Sequence, residues 1–328
     1  MLGMKNARIA EIPKGTMRTL CGIPRFALRA PFEILPPIKN KSDNDDCTLQ
    51  IDQHSIKGIK FKRQIGKGSH GTVFLVEDNN SKLMALKIIK GDDMKEAKLM
   101  KHVSNHPNIV NMVSSWRRSS SSKGNCYYYI LMDYAERGDV FDIIEFYNGA
   151  CPEPLASKIA VDLFSALEYI HSRNIVHRDV KPENLFVKDD GTIMLGDFGL
   201  AATIESLNGS FGTITYSAPE ILNGKSHGSP KVDIWSADIW SAGVTIYTIL
   251  TGNDPWTTRN ESDPSPITIA KRILAGKLNR YPSHVSAAAK DFVSRCMDPD
   301  PASRISAKDA LVHPWMRMSA LCTFKTDK

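Results

Sequence analysis

Two short polar motifs constrain this chain more than any other feature. The first, residues 177–184, reads His-Arg-Asp-Val-Lys-Pro-Glu-Asn, and the second, residues 197–199, reads Asp-Phe-Gly. A polar surface loop followed by a turn would explain either motif alone. Their order and spacing together disfavour that interpretation and indicate two loops that act in one site.

The residue types in these motifs suit the transfer of a phosphoryl group to a hydroxyl. Such a transfer needs a carboxylate that orients the hydroxyl and accepts its proton, and Asp179 can supply it. Asn184 and Asp197 offer the oxygen ligands that Mg²⁺ prefers. Lys181 adds positive charge where the phosphate would pass.

Charge and composition bound the class of protein. The 328 residues are 42% hydrophobic and 24% charged, as in an ordinary globular chain long enough for two lobes. Residues 1–41 contain eight Lys or Arg and two Glu, which accounts for the whole net charge of +6. The rest of the chain is balanced, so no nucleic-acid partner is expected for the folded part.

The six cysteines are scattered without a Cys-x-x-Cys pair, which favours free thiols in a reducing, intracellular setting, the cytoplasm or the nucleus. No apolar run approaches the roughly 18 residues that span a bilayer. Residues 1–56 are basic, contain five prolines and show no helical or strand periodicity, so they predict a disordered leader. An Arg-rich mitochondrial presequence is the alternative interpretation of this leader.

A glycine-rich turn begins the periodic part of the chain. Strand-like runs at 59–65 and 72–77 flank Gly66-Lys67-Gly68-Ser69-His70-Gly71, and a third run covers 84–89. A Gly-x-Gly-x-x-Gly pattern also suits a dinucleotide-binding turn, but that turn leads into a helix. Because a strand follows here, the pattern favours a hairpin whose backbone lies close to nucleotide phosphates.

The third strand and the next helix supply a second charged pair. Met84-Ala85-Leu86-Lys87 places a lysine for the nucleotide phosphates, although an exposed strand lysine would look the same in isolation. Helical spacing from 93 to 103, with Asp92 or Asp93 as N-cap, carries Glu96 as the candidate partner of Lys87. Strands at 109–116 and 127–133 follow, and helices are predicted at 140–147, 155–172, 242–251, 267–275, 287–297 and 307–313.

With these motifs in order, residues 57–317 resemble a eukaryotic protein kinase of the serine/threonine branch. The segments Thr251–Trp256 and Arg304–Trp315 are most similar to the calcium/calmodulin-dependent and checkpoint-type groups. The resemblance implies an α+β, two-lobed fold, with a small antiparallel sheet and one helix at 57–133, a hinge at 133–136 and a mainly helical lobe at 137–317. A short tail at 318–328 would complete the chain.

The resemblance also implies a site and its cofactors, ATP and Mg²⁺. Lys87, Glu96, Asp179 and Lys181 would be catalytic, and Asn184 and Asp197 would hold the metal. The nucleotide would be covered or contacted by Gly66, Lys67, Gly68, Ser69, His70, Gly71, Val73, Ala85, Lys87, Asp133, Ala135 and Phe186. The expected partners are protein substrates, and the chain is expected to be a monomer.

Other positions take roles from the same resemblance. Met132 would be the gatekeeper, and Met100, Met112, His177 and Phe198 would stack between the lobes. Glu220 would pair with Arg304 as a buried ion pair. Asp139 and Glu183 match acidic positions that receive substrate arginines in basophilic relatives, while ribose binding or loop structure explains them equally well.

A perfect tandem repeat interrupts the family pattern, because Asp-Ile-Trp-Ser-Ala occurs at 233–237 and again at 238–242. A helix rotates by roughly 140° over five residues, so extra residues inside it would turn its core face away. We therefore expect Asp238 to take the family's structural role, with the first copy in the preceding loop. Ile234 and Trp235 should then be poorly buried or packed against the lobe surface. A pseudokinase or scaffold disabled by this duplication is the alternative function.

Overall fold

The computed structural model describes residues 58–68, 71–91, 93–119, 126–204, 212–223, 234–257 and 264–322. The leader, the glycine-loop residues Ser69 and His70, and most of the tail therefore lie outside the described residues. Five antiparallel strands form the first part of the fold, in the order β1-β2-β3-β5-β4. Their bounds are β1 Ile59–Gly68, β2 Gly71–Asp78, β3 Leu83–Lys90, β4 Met112–Ser119 and β5 Cys126–Asp133.

Alternation along the strands gives this sheet two different faces. On β2 and β3, Phe74, Val76 and Leu86 lie in one buried cluster that is separate from the main core. Ala85 and Lys87 point to the opposite face, which borders a large cleft. The same alternation that buries one face therefore delivers the strand lysine to the cleft.

One helix, α1 (Lys95–Val103), lies between β3 and β4 and packs Leu99 and Met100 into the main core. Its predicted start was wrong: the cap position is Met94, which makes no side-chain capping bond. Asp93 still accepts a hydrogen bond from the Lys95 amide at 2.9 Å, so it satisfies a first-turn donor from one position outside the expected cap. Asp92 lies outside the described residues.

The start of β4 was also predicted too early. Ile109 forms an isolated bridge to Leu195, and the ladder with β5 begins only at Met112. The apolar character of Ile109 and Val110 serves burial in the main core rather than the sheet. A short apolar run cannot distinguish these two uses.

The second part of the fold is mainly helical, as expected. Its helices are α2 Val140–Phe146, α3 Glu153–His171, α4 Pro219–Leu222, α5 Trp235–Thr251, α6 Pro266–Leu274, α7 Ala287–Cys296 and α8 Ala307–Leu311. Two small antiparallel ladders pair β6 (Ile175–Val176) with β9 (Ala202–Thr203) and β7 (Leu185–Val187) with β8 (Ile193–Leu195). Short 3₁₀ helices cover Pro182–Asn184, Phe198–Leu200, Ile214–Tyr216 and Pro314–Leu321. The expected α+β, two-lobed architecture is confirmed.

Helix α5 is the centre of this second part, and it departs from the prediction. It begins at Trp235, seven residues before the predicted Ala242. Ile234 is only 9% exposed and packs in a small separate cluster, so of the two expected outcomes it shows packing against the lobe surface rather than poor burial. The expectation that the first copy would lie in the preceding loop was wrong, because residues 235–237 belong to the helix. Trp235 packs against the same small cluster as Ile234, which agrees with the expected packing against the lobe surface. Asp233 lies outside the described residues.

Helix length and hydropathy can also be compared with the requirements of a bilayer. Within the described ranges, no helix is both long and apolar enough to cross a membrane.

Candidate active site

A cleft of about 960 Å³ lies between the sheet and the helical part. This volume falls within the usual range for small-molecule sites. Every described residue that the sequence predicts for the site lines it: Gly66, Lys67, Gly68, Gly71, Val73, Ala85, Lys87, Glu96, Asp133, Ala135, Asp179, Lys181, Asn184, Phe186 and Asp197. Residues separated by more than a hundred positions thus share one cavity.

Lys87 forms the centre of a charged triad at the back of the cleft. Its Nζ lies 2.7 Å from Glu96 Oε1 on α1 and 2.8 Å from Asp197 Oδ1. Burial lowers the pKa of Lys87, but the two carboxylates outweigh burial and raise the pKa above its ordinary value. For Asp197, burial raises the pKa, and the Lys87 ammonium holds it below its ordinary value. Lys87 and Asp197 are therefore both charged at neutral pH.

Asp197 occupies an unusual backbone conformation. Its φ is 56°, in the left-handed region, and its side chain accepts from the Gly199 amide at 3.4 Å. Aspartate tolerates this region better than most residues because its short side chain bonds locally. The conformation turns the carboxylate toward Lys87 while the next residue, Phe198, is fully buried.

Asp179 lies on the opposite wall, surrounded by hydrogen-bond donors. Lys181 Nζ is 2.9 Å from its Oδ2, and the amide of Thr213 donates to its Oδ1 at 3.2 Å. Burial raises the pKa of Asp179, but the Lys181 bond and charge outweigh burial and lower it. An ionised carboxylate is the form that accepts a proton.

Thr213 is a contact that sequence reasoning missed. Its Oγ1 lies 3.3 Å from Asp179 Oδ1 and accepts from Lys181 Nζ at 3.0 Å. The preceding Gly212 leaves no space for a side chain, because a Cβ there would lie 2.2 Å from the same Asp179 oxygen. The signal was present as Gly-Thr before Tyr216, but sequence spacing alone does not say that this dipeptide touches residue 179.

The amide nitrogen of Asn184 fixes the orientation of this side chain. Nδ2 donates to the backbone oxygen of Asp179 at 2.7 Å and to its carboxylate at 3.0 Å. This arrangement commits the nitrogen to Asp179 and leaves the amide oxygen for a metal. Within the described residues there is no group of three or more His, Cys, Asp or Glu that could hold a metal ion. Two protein ligands suit Mg²⁺, which usually completes its shell with phosphate and water.

Asp238 anchors the motif at residues 177–184, which we call the catalytic loop. Its carboxylate accepts from the amides of His177 and Arg178 at 2.8 Å each, and His171 Nε2 lies 2.9 Å away. Asp238 is 2% exposed, so these bonds are shielded from water. The second copy of the repeat therefore takes the structural role expected for it.

His177 connects the two motif loops. Its Nε2 donates to the Gly196 carbonyl at 2.9 Å, and its Nδ1 accepts from the Asp179 amide at 3.4 Å. Its ring packs edge-on against Phe198, with centroids 5.0 Å apart. Met100 and Phe198 lie in the main core, and Met112 is partly buried against it. The contact between His177 and Phe198 is therefore present, and the full stack of four side chains stays a prediction.

The walls of the cleft that were expected to face a nucleotide include two close approaches to glycine. Gly68 and Gly71 pair at the end of the β1–β2 hairpin, and Gly71 has φ of 127°. A Cβ at Gly71 would lie 2.5 Å from the Ile88 carbonyl, so the hairpin requires glycine there. On the other side of the cleft, Phe186 packs against Gly196, where a Cβ would lie 2.8 Å from the ring.

Two further charged groups lie at the edges of the site. Asp139 caps α2 in a reciprocal bond with Asp142, so its structural role is present. Burial and the nearby charges of Asp142 and Glu183 raise the pKa of Asp139 to about 6, although amide bonds partly oppose them. Behind the site, Arg304 donates to both Glu220 oxygens at 2.7 and 3.1 Å, which is the expected buried pair.

Comparison with known proteins agrees with this geometry. The profile of the protein kinase domain matches residues 59–316. The chain is 36% identical to the calcium/calmodulin-dependent protein kinase cmkA of Emericella nidulans, over 79% of this chain and 62% of that protein. It is 34% identical to calcium-dependent protein kinase 3 of Plasmodium berghei, over 77% and 45%.

A third relative lies in a different group. The cAMP-dependent protein kinase catalytic subunit of Schizosaccharomyces pombe is 31% identical over 81% of this chain and 52% of that protein. The chain spans about half the length of the curated relatives it matches. The profile covers most of the chain and its relatives are serine/threonine kinases, so the chain belongs to the protein kinase family, in the serine/threonine branch and similar to its calcium/calmodulin-dependent members.

Proposed function

We propose that this chain transfers the γ-phosphate of ATP to serine or threonine hydroxyls of protein substrates, within a catalytic domain at residues 57–317. The observation that carries the proposal is the bridge from Lys87 to both Glu96 and Asp197, opposite an ionised Asp179. In kinases both the lysine–glutamate pair and the metal-binding aspartate must be in place for phosphoryl transfer. Here one lysine holds both carboxylates.

The residues present fit ATP and Mg²⁺. The cleft offers glycine backbone at Gly66 and Gly68, and a Cβ at Gly68 would meet nothing within 4 Å. Asp197 and the Asn184 oxygen form the donor set for Mg²⁺. When bound, Mg²⁺·ATP supplies the phosphoryl group and the charge that neutralises it.

The chain's own residues then have distinct tasks. Lys87, braced by Glu96, places a positive charge along the phosphates. Asp179 orients the attacking hydroxyl and accepts its proton, and Lys181 supplies positive charge on the same side. Thr213 tethers both groups, which keeps the carboxylate and the ammonium at a fixed separation.

The pseudokinase alternative gains no support from the repeat. The duplication leaves Asp238 bonded to the catalytic loop, and every described catalytic residue faces the cleft. We propose that the protein acts inside the cell, in the cytoplasm or nucleus. The scattered cysteines, which form no Cys-x-x-Cys pair, support this proposal.

The test is phosphate incorporation from radiolabelled ATP into a basic peptide that contains one serine. Wild-type protein should label this peptide but not its Ser-to-Ala version, and Asp179→Asn should abolish labelling because it removes the proton acceptor. Asp190→Asn, an exposed change in the β7–β8 turn, is the matched control and should label normally. Labelling by Asp179→Asn at the wild-type rate would contradict the assignment.

A further inference from the structure

The tandem repeat adds one turn to the start of helix α5. Residues 234–237, all from the first copy, precede Asp238, and the amide of Ala237 donates to the Ile234 carbonyl at 3.3 Å. We call these four residues the extra turn. It lies on the chain directly before the residue that holds the catalytic loop, so its contacts bear on the site.

Ile234 gives the extra turn its first contact. It forms a small buried cluster with Val176 of β6 and Ala202 of β9, and Ile204 and Trp235 pack against it. This cluster is separate from the two larger cores. The residue therefore covers the β6–β9 ladder rather than contributing to the general core.

The ladder that Ile234 covers is short. It pairs Ile175 with Thr203 and Val176 with Ala202, and the Ile204 amide extends it with a bond to Asn174 at 3.1 Å. Two-residue strands are marginal without packing from another element. The ladder thus depends on whatever covers its apolar side.

The ladder also joins the catalytic loop to the segment that carries the Asp197-Phe198-Gly199 motif. Val176 precedes Asp179 by three residues, and Ala202 follows Asp197 by five. Arg178 Nε adds a bond to the Leu200 carbonyl at 2.6 Å between the same two segments. Pairing of β6 with β9 therefore sets how the metal-binding aspartate lies relative to the hydroxyl-orienting aspartate.

Ser236 gives the extra turn a second contact, on the side of the buried ion pair. Its carbonyl accepts from Arg304 Nη1 at 2.7 Å, and Ser236 is 4% exposed. The turn is thus fixed at one end to the Glu220–Arg304 pair and at the other end to the ladder. A segment held at both ends can transmit rigidity to β9.

We propose that the extra turn is a positioning element of the active site, in which Ile234 holds β9 against β6 and thereby fixes Asp197 relative to Asp179. The catalytic part of this proposal rests on the proposed kinase function. The packing part does not, because it concerns the protein without nucleotide. The duplicated pentapeptide would then act as a brace rather than as an inert insertion.

Hydrogen exchange of the full chain without nucleotide tests the packing. Ile234→Ala should speed exchange at the Ile204 amide about tenfold, because the cavity weakens the packing over the ladder. Ile234→Val should largely restore protection. Ile267→Ala, at a site 70% exposed on α6, is the control and should leave exchange unchanged. Amides in α3 should keep their protection in every variant.

Kinetics test the positioning. Ile234→Ala and deletion of 233–237 should each raise the Mg²⁺ concentration needed for half-maximal rate about threefold or more, with peptide KM unchanged, because the metal-binding carboxylate is less well placed. An unchanged exchange rate at the Ile204 amide in Ile234→Ala would overturn the proposal. An equal increase in the exchange rates of the α3 amides would also overturn it, because the effect would then not be local to the ladder. Faster exchange at Ile204 in a chain whose wild type labels no peptide would support the packing and count against the kinase function instead.

Discussion

Two buried ion pairs in this molecule have the same charges but different surroundings. Arg304 and Glu220 form a closed, bidentate pair whose side chains are 0% and 5% exposed. Lys87 and Glu96 are similarly buried, but their partner Asp197 is 34% exposed and opens onto the cleft. The first pair connects two elements of one lobe, whereas the second connects a strand, a helix and a motif loop.

The difference shows what each pair can do. A closed pair stabilises the fold only while both partners are present, since a lone buried charge is costly. A pair beside the cleft can exchange partners with water or a ligand, because its third member is accessible. We therefore expect the same chemistry to serve architecture in one place and ligand binding in the other, and the predictions below separate these roles.

The largest effect is expected at the pair beside the cleft, Lys87 and Glu96. Lys87→Met should lower turnover by about 10²–10³-fold, because it removes the charge that faces the phosphates. Its free energy of unfolding should change by only about 1–2 kcal/mol, since Asp197, which is 34% exposed, keeps its access to water when the lysine is removed. Peptide labelling and urea unfolding measure the two quantities. Turnover close to wild type would contradict the proposed role of Lys87 in the reaction.

The closed pair should show the reverse pattern. Arg304→Met should reduce the free energy of unfolding by about 3–5 kcal/mol, because Glu220 is left buried without its cation. Adding Glu220→Met should recover part of that loss. Arg295→Met breaks an exposed pair with Asp291 and should cost less than about 1 kcal/mol. Equal losses for Arg304→Met and Arg295→Met would mean that burial does not distinguish them.

A third test concerns Asp238, a buried carboxylate that accepts hydrogen bonds from two backbone amides instead of forming a pair with Lys or Arg. Asp238→Ala should lower stability by about 2–3 kcal/mol and reduce activity, because two buried amides of the catalytic loop lose their acceptor. Asp233→Ala, the same residue in the first copy, should be nearly silent. Thermal unfolding and peptide labelling of both variants measure these effects. A larger loss in Asp233→Ala than in Asp238→Ala would assign the anchoring role to the first copy instead.

The smallest effect is expected at a carboxylate whose neighbours are also acidic. The pKa of Asp139 is raised to about 6 from 3.8, so the folded protein binds the proton more tightly than the unfolded chain. Stability should therefore fall as pH rises from about 4 to 6 and then level off. Asp139→Asn keeps a capping side chain and should flatten this slope.

Urea unfolding at three pH values between 4 and 7 measures that slope. These values cover the expected change in stability, which extends over about two pH units. Asp93→Asn, at an exposed site, is the control and should leave the slope as in wild type. A slope that persists in Asp139→Asn would assign the pH dependence to another group.

Much of this fold follows from local sequence. The bounds of β2, β3 and β5 agree with the alternating runs within one residue, because each strand has one buried face. The motif spacing also brought Lys87, Asp179 and Asp197 to one cleft, since the family pattern encodes their tertiary relation.

What local sequence did not provide depends on contacts between distant residues. The two pentapeptides are identical, so only their surroundings distinguish them: Ile234 of the first copy packs against Val176 and Ala202, whereas Asp238 of the second copy bonds to the catalytic loop. Ile109 has a strand-like sequence but bridges to Leu195 instead. Likewise, Thr213 contacts Asp179 although 34 positions separate them in the sequence, and hydrophobic periodicity does not predict contacts at that separation.

The tandem repeat has a genetic consequence. Because the copies are identical, loss of 233–237 and loss of 238–242 give the same polypeptide. A single in-frame deletion therefore removes the extra turn and always leaves one aspartate to anchor the catalytic loop. The extra turn can therefore be gained or lost in one step without an intermediate that lacks the anchoring aspartate. Selection can then act on the extra turn alone.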